Sequence, residues 1–279
     1  MNSELDESKI IVWLLEYHVT NSCNLACVGC NHYTHILKGN NKQPEELDAD
    51  LASWGPRLDI KQFHLLGGEP FAHRRLLKFC KIARGHLATS KIDIVTNGLL
   101  INRVPNLDFL GRRLSELNVG IKLTVHSQNP AYQQKIQKVL EILKNLEETY
   151  GVRLEVRDHS NSWGRRFFED ENGVISPYND KQPEQSWNSC ICKPCRQLID
   201  GKIYKCPQIA YLQDMKKINK TSTEFDTYLK YKPISPDVSD SELRERFEVA
   251  RSAESICGMC PANQEFINDA EKNSRNNFK

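Results

Sequence analysis

Short apolar runs alternate with longer amphipathic segments through the first 160 residues of the chain. The runs are rich in Val, Ile and Leu and predict strands at 12–20, 61–66, 91–96, 119–126 and 152–156. Between them, apolar residues at helical spacing predict helices at 44–53, 71–86, 107–117 and 130–149. Strand–helix–strand units of this length predict an α/β fold with a parallel sheet. Such sheets bind ligands at the carboxyl ends of their strands, so we expect the chemistry in the loops that follow them.

The pattern changes after about residue 160. Residues 160–189 are rich in Asn, Asp, Gln, Gly and Pro, and their periodicity fades. Residues 196–205 predict a β-hairpin around Asp200–Gly201, and a helix is expected from 241 to about 252. The tail EKNSRNNFK is predicted to be frayed. We therefore divide the chain into a main α/β domain, residues 1–185, and a cysteine-rich domain, residues 186–279.

Composition and charge exclude several classes of protein. The 279 residues are 39% hydrophobic and 27% charged, as in an ordinary globular protein. Lys and Arg number 38 against 36 Asp and Glu, so the net charge of +2 does not indicate binding to duplex DNA or to an anionic membrane. The longest apolar run, 10–15, is too short to span a membrane, and the leader MNSELDESK is acidic. We expect a cytoplasmic protein.

The ten cysteines fall into three groups and one isolated residue: Cys23, Cys27 and Cys30; Cys190, Cys192, Cys195 and Cys206; Cys257 and Cys260; and Cys80. Without an export signal, clustered thiols in a reducing compartment indicate a metal rather than disulfides. Cys80 is on a predicted amphipathic helix, and we interpret it as a small buried hydrophobic residue.

The first group, Cys23, Cys27 and Cys30, follows the first predicted strand directly. Three thiolates on one short loop can bind three irons of a [4Fe–4S] cluster and leave the fourth iron open to a substrate. Structural zinc would need a fourth ligand, for which only His32 and His35 are near. We therefore favour an open iron–sulfur cluster.

These residues resemble the radical S-adenosylmethionine (SAM) superfamily over about residues 12–160. The segment NSCNLACVGC contains its CxxxCxxC pattern at Cys23, Cys27 and Cys30. Its GGE element corresponds to Gly67, Gly68 and Glu69, and TNG at 96–98 ends the third predicted strand. The sequence departs from the pattern at Val28–Gly29, where many members carry an aromatic residue that packs near the adenine. Tyr33 or His32 is the local substitute.

The resemblance implies a partial (β/α)6-type parallel barrel that binds a [4Fe–4S] cluster and SAM and accepts electrons from a reductant such as flavodoxin or ferredoxin. The open iron would chelate the amino and carboxylate groups of SAM, and reductive cleavage would yield a 5′-deoxyadenosyl radical that abstracts hydrogen from a substrate. Gly67 and Gly68 would let the backbone approach the methionine part of SAM. Glu69, or a nearby carbonyl, would accept a hydrogen bond from its ammonium group.

Polar residues also follow the third, fourth and fifth predicted strands, where SAM and the substrate should lie. We expect at least two of them to line the cavity. The candidates for cofactor binding are Asn97, Ser127 and Arg157, and the candidates for catalysis are His126, Asp158 and His159.

The hairpin predicts a second metal site. With Asp200–Gly201 as the turn, Cys195 lies opposite Cys206, with their Cβ atoms about 4.5–5.5 Å apart. Cys257-x2-Cys260 adds a pair with the spacing of a metal knuckle. A zinc ribbon built from Cys192-x2-Cys195 and Cys257-x2-Cys260 is the alternative.

The same region resembles the twitch or SPASM extension of radical SAM enzymes, in which a hairpin and a later cysteine pair hold an auxiliary [4Fe–4S] cluster. Gly201-x4-Cys206 matches its hairpin element. We predict Cys195, Cys206, Cys257 and Cys260 as the ligands. Cys190 and Cys192 are alternates, because the family's spacing favours them over Cys195.

The leading hypothesis is therefore a radical SAM enzyme with two clusters. Its substrate would be a polar molecule, namely a sugar, a nucleoside or modified base, or a peptide, and the auxiliary cluster would assist oxidation or anchor the substrate. One alternative is an isomerase that rearranges a modified thymidine or DNA base in a phage pathway. An alternative of another class is a non-catalytic iron–sulfur electron-transfer protein or a zinc-ribbon protein.

Overall fold

The computed structural model describes residues 9–278. Its first part is a regular alternation of strands and helices, as predicted. The elements are β1 (Ile10–Thr20), α1 (Pro44–Trp54), β2 (Leu58–Gly67), α2 (Leu76–His86), β3 (Lys91–Thr96), α3 (Leu107–Glu116), β4 (Val119–Val125), α4 (Pro130–Tyr150) and β5 (Leu154–Asp158).

The second part is made of shorter elements. They are β6 (Trp163–Gly164), β7 (Phe168–Glu169), β8 (Ile175–Ser176), α5 (Pro183–Asn188), β9 (Arg196–Ile199), β10 (Lys202–Tyr204), α6 (Pro207–Ala210), α7 (Leu212–Lys217), α8 (Asp240–Val249), β11 (Phe266–Ile267) and α9 (Asp269–Lys272). Short 3-10 helices lie at Pro70–Ala72, Ile101–Arg103, Thr223–Lys230 and Ser255–Met259.

A seven-stranded sheet joins the two parts, with the order β10-β9-β1-β2-β3-β4-β5. Strands β1 to β5 are parallel, β9 is parallel to β1, and β10 is antiparallel to β9. The fold is thus α/β with a mostly parallel sheet, consistent with the predicted partial barrel and its cysteine-rich C-terminal region. The hairpin has the predicted register, since Ile199 pairs with Lys202 and Gln197 pairs with Tyr204.

Helix α4 shows why the amphipathic segments pack on this sheet. Its buried side chains recur every three or four residues and form one face: Tyr132, Ile136, Val139, Leu143 and Leu146. Asn129 caps its start by accepting hydrogen bonds from the backbone N–H groups of Ala131 and Tyr132. The neighbouring strand β4 is buried at every position. Burial of each large apolar side chain contributes about 1.5–3 kcal/mol.

Two local predictions were wrong. Helix α2 begins at Leu76 rather than at residue 71, because the Glu69 carboxylate accepts a hydrogen bond from the Phe71 N–H and starts a 3-10 turn there. As far as residue 278 the tail is not frayed: Glu271 and Lys272 complete α9, and the buried Phe278 ring packs against Tyr132 at 4.9 Å between ring centroids. Within residues 9–278, none of the helices has the length and apolar character needed to cross a membrane.

Candidate active site at the carboxyl edge of the sheet

A cavity of about 250 Å³ opens where the parallel strands end, at the edge of the sheet where the strand pattern predicts the chemistry. Its wall combines the loop after β1, the ends of β2 to β5 and the segment around β6. The predicted site residues that line it are Cys23, Cys27, Cys30, Gly67, Gly68, Asn97, His126, Arg157 and His159.

The two glycines after β2 hold the cysteine loop in place. The Gly68 N–H donates to the Thr20 carbonyl at 2.7 Å, and the Glu69 N–H donates to the Ser22 carbonyl at 2.8 Å. A Cβ atom on Gly67 or Gly68 would lie 2.3 Å from the carbonyl oxygen of Thr20 or Ser22, respectively. Glycine is needed at both positions because the backbone of the cysteine loop leaves no room for a Cβ atom.

The C-terminal tail closes the other side of the loop. The Val28 N–H donates to the Lys272 carbonyl at 2.9 Å, and the Ala26 N–H donates to Asn276 Oδ1 at 2.6 Å. Asn276 Nδ2 also lies 3.8 Å from the sulfur of Cys27. No local pattern in the sequence indicates these contacts, which join positions about 250 residues apart.

The three thiols of this loop are free and differ in their electrostatic surroundings. Burial raises the pKa of Cys23, and it raises that of Cys27 to about 12. Burial alone would also raise the pKa of Cys30, but the adjacent His35 holds it below its usual value. His35 is in turn hydrogen-bonded to Glu169 at 2.9 Å, and these partners raise its pKa to about 9 against the effect of burial. Metal binding would displace the remaining protons from these soft donors.

Glu69 lies beneath the cavity, not in its wall. Its carboxylate accepts hydrogen bonds from the Thr96 hydroxyl at 2.6 Å, the Asn97 N–H at 2.8 Å and the Phe71 N–H at 3.0 Å. Burial nevertheless dominates and raises its pKa to about 7. Glu69 thus ties the end of β2 to the end of β3 and positions the residues that do line the cavity.

Four other predicted residues lie in the wall. Asn97 Nδ2 donates to Asn24 Oδ1 at 2.9 Å and is 4.0 Å from the Cys23 sulfur. Burial lowers the pKa of His126 to about 3, so its ring is neutral, and its Nδ1 is buried without a partner. His159 Nδ1 lies 2.9 Å from the Ser162 hydroxyl. Arg157 is exposed at the edge and donates to Glu155 at 2.6 Å.

Two predicted residues are directed elsewhere. The Ser127 hydroxyl donates to Asp269 at 3.0 Å, and Asp158 accepts hydrogen bonds from Gln128 and Ser160. Successive side chains of a strand point to opposite faces. Since Arg157 and His159 face the cavity, the intervening Asp158 cannot, and the same alternation separates Ser127 from His126.

Sequence reasoning missed Glu16, which lines the cavity from within β1. It accepts a hydrogen bond from Gln197 at 2.6 Å and lies 3.3 Å from Nδ1 of His64, which is itself 2.9 Å from Lys122 through Nε2. Although burial acts to raise it, the hydrogen bond and charge of His64 hold the pKa of Glu16 below its usual value. The sequence feature that could have indicated Glu16 is its carboxylate within the largely apolar strand β1.

The position beside Val28–Gly29 is occupied by an aromatic residue from another part of the chain. Trp163 lines the cavity and donates from Nε1 to the Val28 carbonyl at 3.0 Å. Gly29 has φ +70°, and a Cβ there would lie 2.5 Å from Ile267. Of the two substitutes suggested by sequence, His32 lines the cavity, whereas Tyr33 is buried against Phe167.

Comparison with known proteins decides the family. A sequence model of the Radical SAM superfamily matches residues 17–156, half of the chain. The chain belongs to the radical SAM superfamily. The superfamily implies a [4Fe–4S] cluster and SAM, and three soft thiol donors on one cavity wall are a donor set that fits such a cluster.

Curated relatives of this radical SAM chain match part of it. It is 26% identical over 132 residues to GTP 3′,8-cyclase of Alkaliphilus oremlandii (strain OhILAs), covering 46% of this chain and 39% of that protein. It is 24% identical over 125 residues to a probable GTP 3′,8-cyclase of Methanocaldococcus jannaschii, covering 44% and 40%. The match thus spans about two fifths of the length of these relatives.

A solved structure shows the same fold over nearly the whole chain. BtrN in complex with AdoMet and 2-DOIA matches with a TM-score of 0.54 and 16% sequence identity, covering 95% of this chain and 98% of that one. At this identity the likeness establishes the α/β architecture of the radical SAM chain and leaves its substrate open.

The cysteines of the second half form a separate group. Burial raises the pKa of Cys260 well above its usual value, and the nearby thiols of Cys206, Cys190 and Cys257 raise it further. Burial raises the pKa of Cys206 to about 12, with Cys190 and Cys257 again contributing. Cys260 also belongs to a buried apolar cluster against which Cys206 packs. The isolated Cys80 lies on the buried face of α2 and is part of the main core, as predicted.

Cys192 and Cys195 adjoin this group: the Cys192 N–H donates to the Cys190 sulfur at 3.3 Å, and the Cys195 N–H donates to the Cys192 carbonyl at 3.1 Å. Cys192 accepts a hydrogen bond from Asn31 of the first cysteine loop at 3.4 Å, and Cys195 interacts most strongly with Cys192. The paired residues of the hairpin end at Gln197 and Tyr204, so the predicted Cβ separation of Cys195 and Cys206 stays a prediction. Within residues 9–278, no three His, Cys, Asp or Glu side chains are arranged so that they could hold a single metal ion.

Proposed function

We propose that this chain is a radical SAM enzyme in which Cys23, Cys27 and Cys30 hold a [4Fe–4S] cluster and SAM occupies the adjoining cavity. The observation that carries the proposal is that all three thiols line the same cavity as the GG element and the strand ends. When bound, the cluster and SAM supply a 5′-deoxyadenosyl radical that takes a hydrogen atom from the substrate.

The chain's own residues would position SAM. The backbone at Gly67 and Gly68 would hold its methionine part, and Asn97 would offer an amide beside Cys23. Glu69 acts through these residues by fixing the ends of β2 and β3. Trp163, which lines the cavity against Val28, would provide a flat apolar surface for the adenine.

We propose a polar substrate of low net charge, such as a sugar, a nucleoside or modified base, or a short peptide segment. Among the described residues that line the cavity, Arg157 is the one with a permanent positive charge and Glu16 is the one carboxylate. One guanidinium suits a hydroxyl or a single anionic group better than a polyphosphate. The side chains that could bind hydroxyl or amino groups of the substrate, or move a proton, are those of Glu16 and of the neutral His126 and His159.

For the auxiliary cluster we propose Cys206, Cys257 and Cys260 with Cys190, in place of Cys195, as the fourth ligand. Cys206 packs against the buried cluster that contains Cys260, and Cys190 and Cys257 act on the thiols of both, which supports this set. Ile191, next to Cys190, lines the cavity, so this cluster would stand beside the substrate and could accept its electron or anchor it. We retain residues 186–279 as the domain that carries the cluster, and a flavodoxin or ferredoxin in a reducing cytoplasm as the electron source.

Anaerobic reconstitution tests the proposal. We expect about eight irons per chain, as two cubane clusters require, and 5′-deoxyadenosine from SAM and dithionite. Cys27→Ala should retain about four irons and form no 5′-deoxyadenosine, whereas the matched control Cys80→Ala should retain both properties. Continued SAM cleavage by Cys27→Ala would refute the assignment.

The same measurement identifies the auxiliary ligands. Cys190→Ala should lose about four irons and Cys195→Ala should lose none, if Cys190 is the fourth ligand. The opposite result would restore the set that includes Cys195. A wild-type protein with about four irons and one zinc would instead indicate a zinc ribbon.

A further inference from the structure

Arg166 is a buried cation that the fold leaves without a partner. It is 1% exposed, and none of its guanidinium nitrogens Nε, Nη1 and Nη2 has a hydrogen-bond acceptor among the described residues. Its neighbour Arg165 differs, since it donates to Glu265 at 2.7 Å and also pairs with Glu271. A buried guanidinium without a counter-charge is strongly unfavourable, so a missing anion is the natural explanation.

The groups around Arg166 indicate where that anion lies. The hydrogen bond with Cys192 and burial raise the pKa of Cys190, and burial raises that of Cys260, while the charge of Arg166 opposes both shifts. A second donor without an acceptor, Gln264 Nε2, is close by. Both donors lie beside Gly164: a Cβ atom on that glycine would be 3.3 Å from Arg166 Nη2 and 3.6 Å from Gln264 Nε2. Phe167, the next residue after Arg166, is buried in the same apolar cluster as Cys260, and Cys206 packs against that cluster. Arg166 and Gln264 are thus donors without acceptors on the segments that lead into this cluster.

We propose that Arg166 is the counter-charge of the auxiliary cluster and raises its reduction potential. The inference rests on the proposed function, in which Cys190 and Cys260 are ligands of that cluster. A cubane with four thiolates carries a net charge of about −2 when oxidised and about −3 when reduced. A fixed positive charge beside it therefore stabilises the reduced form more.

The redox step is simple to balance. The cluster gains one electron, either from a reductant of the flavodoxin or ferredoxin class or from a substrate radical. No bond to Arg166 forms or breaks in this step. Arg166 is thus a positioning residue that acts on the cluster through its charge and its N–H donors.

The decisive measurement isolates the auxiliary cluster. In a background with Cys23, Cys27 and Cys30 all replaced by Ala, the remaining iron of about four per chain reports on this cluster alone. The ratio of reduced to oxidised cluster is then followed by electron paramagnetic resonance at fixed potentials. Arg166→Gln is compared with Arg165→Gln, which removes the same charge from the adjacent residue.

We expect Arg166→Gln to lower the reduced-to-oxidised ratio at least about tenfold, which corresponds to about 59 mV for a one-electron couple. Arg165→Gln should change it by less than about twofold, because its charge is already paired with two carboxylates. Arg166→Lys, which keeps the charge, should remain closer to wild type than Arg166→Gln. Equal effects of Arg166→Gln and Arg165→Gln, or no effect of either, would overturn the inference.

Stability provides a second readout that does not depend on loading the variant. In cluster-free protein, Arg166→Met removes an unpaired buried charge and should raise the unfolding temperature. In loaded protein it should speed the loss of iron to a chelator. If Arg166→Met lowers the unfolding temperature of the cluster-free protein, Arg166 has a packing role and the inference fails. If the triple-alanine background with native Arg166 binds no iron, the proposed auxiliary cluster is refuted as well. If it binds iron but Arg166→Gln leaves the reduction potential of the cluster unchanged, only the role of Arg166 is refuted.

Discussion

Glu69→Gln tests how the protein balances burial against hydrogen bonding beneath the candidate SAM site. Glu69 is 0% exposed, and three donors from Phe71, Thr96 and Asn97 point at its carboxylate. The donors favour the charged form, whereas burial favours the neutral form. Burial is the stronger effect, so the pKa rises from 4.5 to about 7.

The size of the effect follows from that shift. A rise of about 2.5 pKa units corresponds to about 3 kcal/mol, at about 1.36 kcal/mol per unit. The unfolded chain loses this proton near its ordinary pKa of 4.5, while the folded protein keeps it up to about pH 7. The free energy of unfolding therefore falls as the pH rises through this interval, and Glu69→Gln removes that contribution.

Urea unfolding of cluster-free protein at pH values of about 4, 6 and 8 measures the difference. Relative to wild type, Glu69→Gln should gain about 3 kcal/mol of stability between the lowest and the highest pH. Glu147→Gln, which removes an exposed carboxyl group on α4, is the matched control and should show no such trend. A relative stability that stays constant, or that moves the other way, would mean that the three hydrogen bonds outweigh burial.

Two further substitutions test how the cysteine loop is held. Gly68→Ala should lower the free energy of unfolding by about 1–3 kcal/mol and reduce iron loading, because the new Cβ would lie 2.3 Å from the Ser22 carbonyl oxygen. The control is Gly85→Ala on α2, where a Cβ meets open space and the free energy of unfolding should rise by about 0.5–1 kcal/mol. Urea unfolding and iron analysis distinguish these outcomes, and equal effects of the two would contradict the steric argument. Asn276→Ala leaves the Ala26 N–H without its acceptor and should cost about 1–3 kcal/mol, with faster loss of iron to a chelator. Unchanged iron release would show that the tail does not support the loop.

The strands and helices of the first 158 residues follow from the sequence because each carries a local signal of sufficient length. Helix α4 repeats its apolar face over five turns, and alternate residues of β4 are Val or another branched aliphatic residue. The cysteine loop was also local, since its three thiols lie within eight residues. These features need no knowledge of distant contacts.

The parts of the site that escaped prediction depend on contacts between remote residues. Glu16 is matched by Gln197, 181 positions away, and Ala26 is capped by Asn276, 250 positions away. Contacts between residues so far apart in the chain produce no local pattern of apolar and polar residues from which they could be predicted. The error at Asp158 was different, because the alternation of side chains along β5 would have directed it away from the cavity once Arg157 was placed inside.

The contact between Asn276 and the cysteine loop also constrains the order of events during synthesis. Residues 23–30 leave the ribosome early, but the segment that supplies acceptors to Ala26 and Val28 is translated some 250 residues later. Closing so long a loop of chain is slow compared with forming local turns. The nascent cysteine loop is therefore open on one side while the rest of the sheet assembles. We expect iron insertion at this loop to follow the folding of residues 272–276 against it, so that cluster delivery and this folding step become a single maturation event.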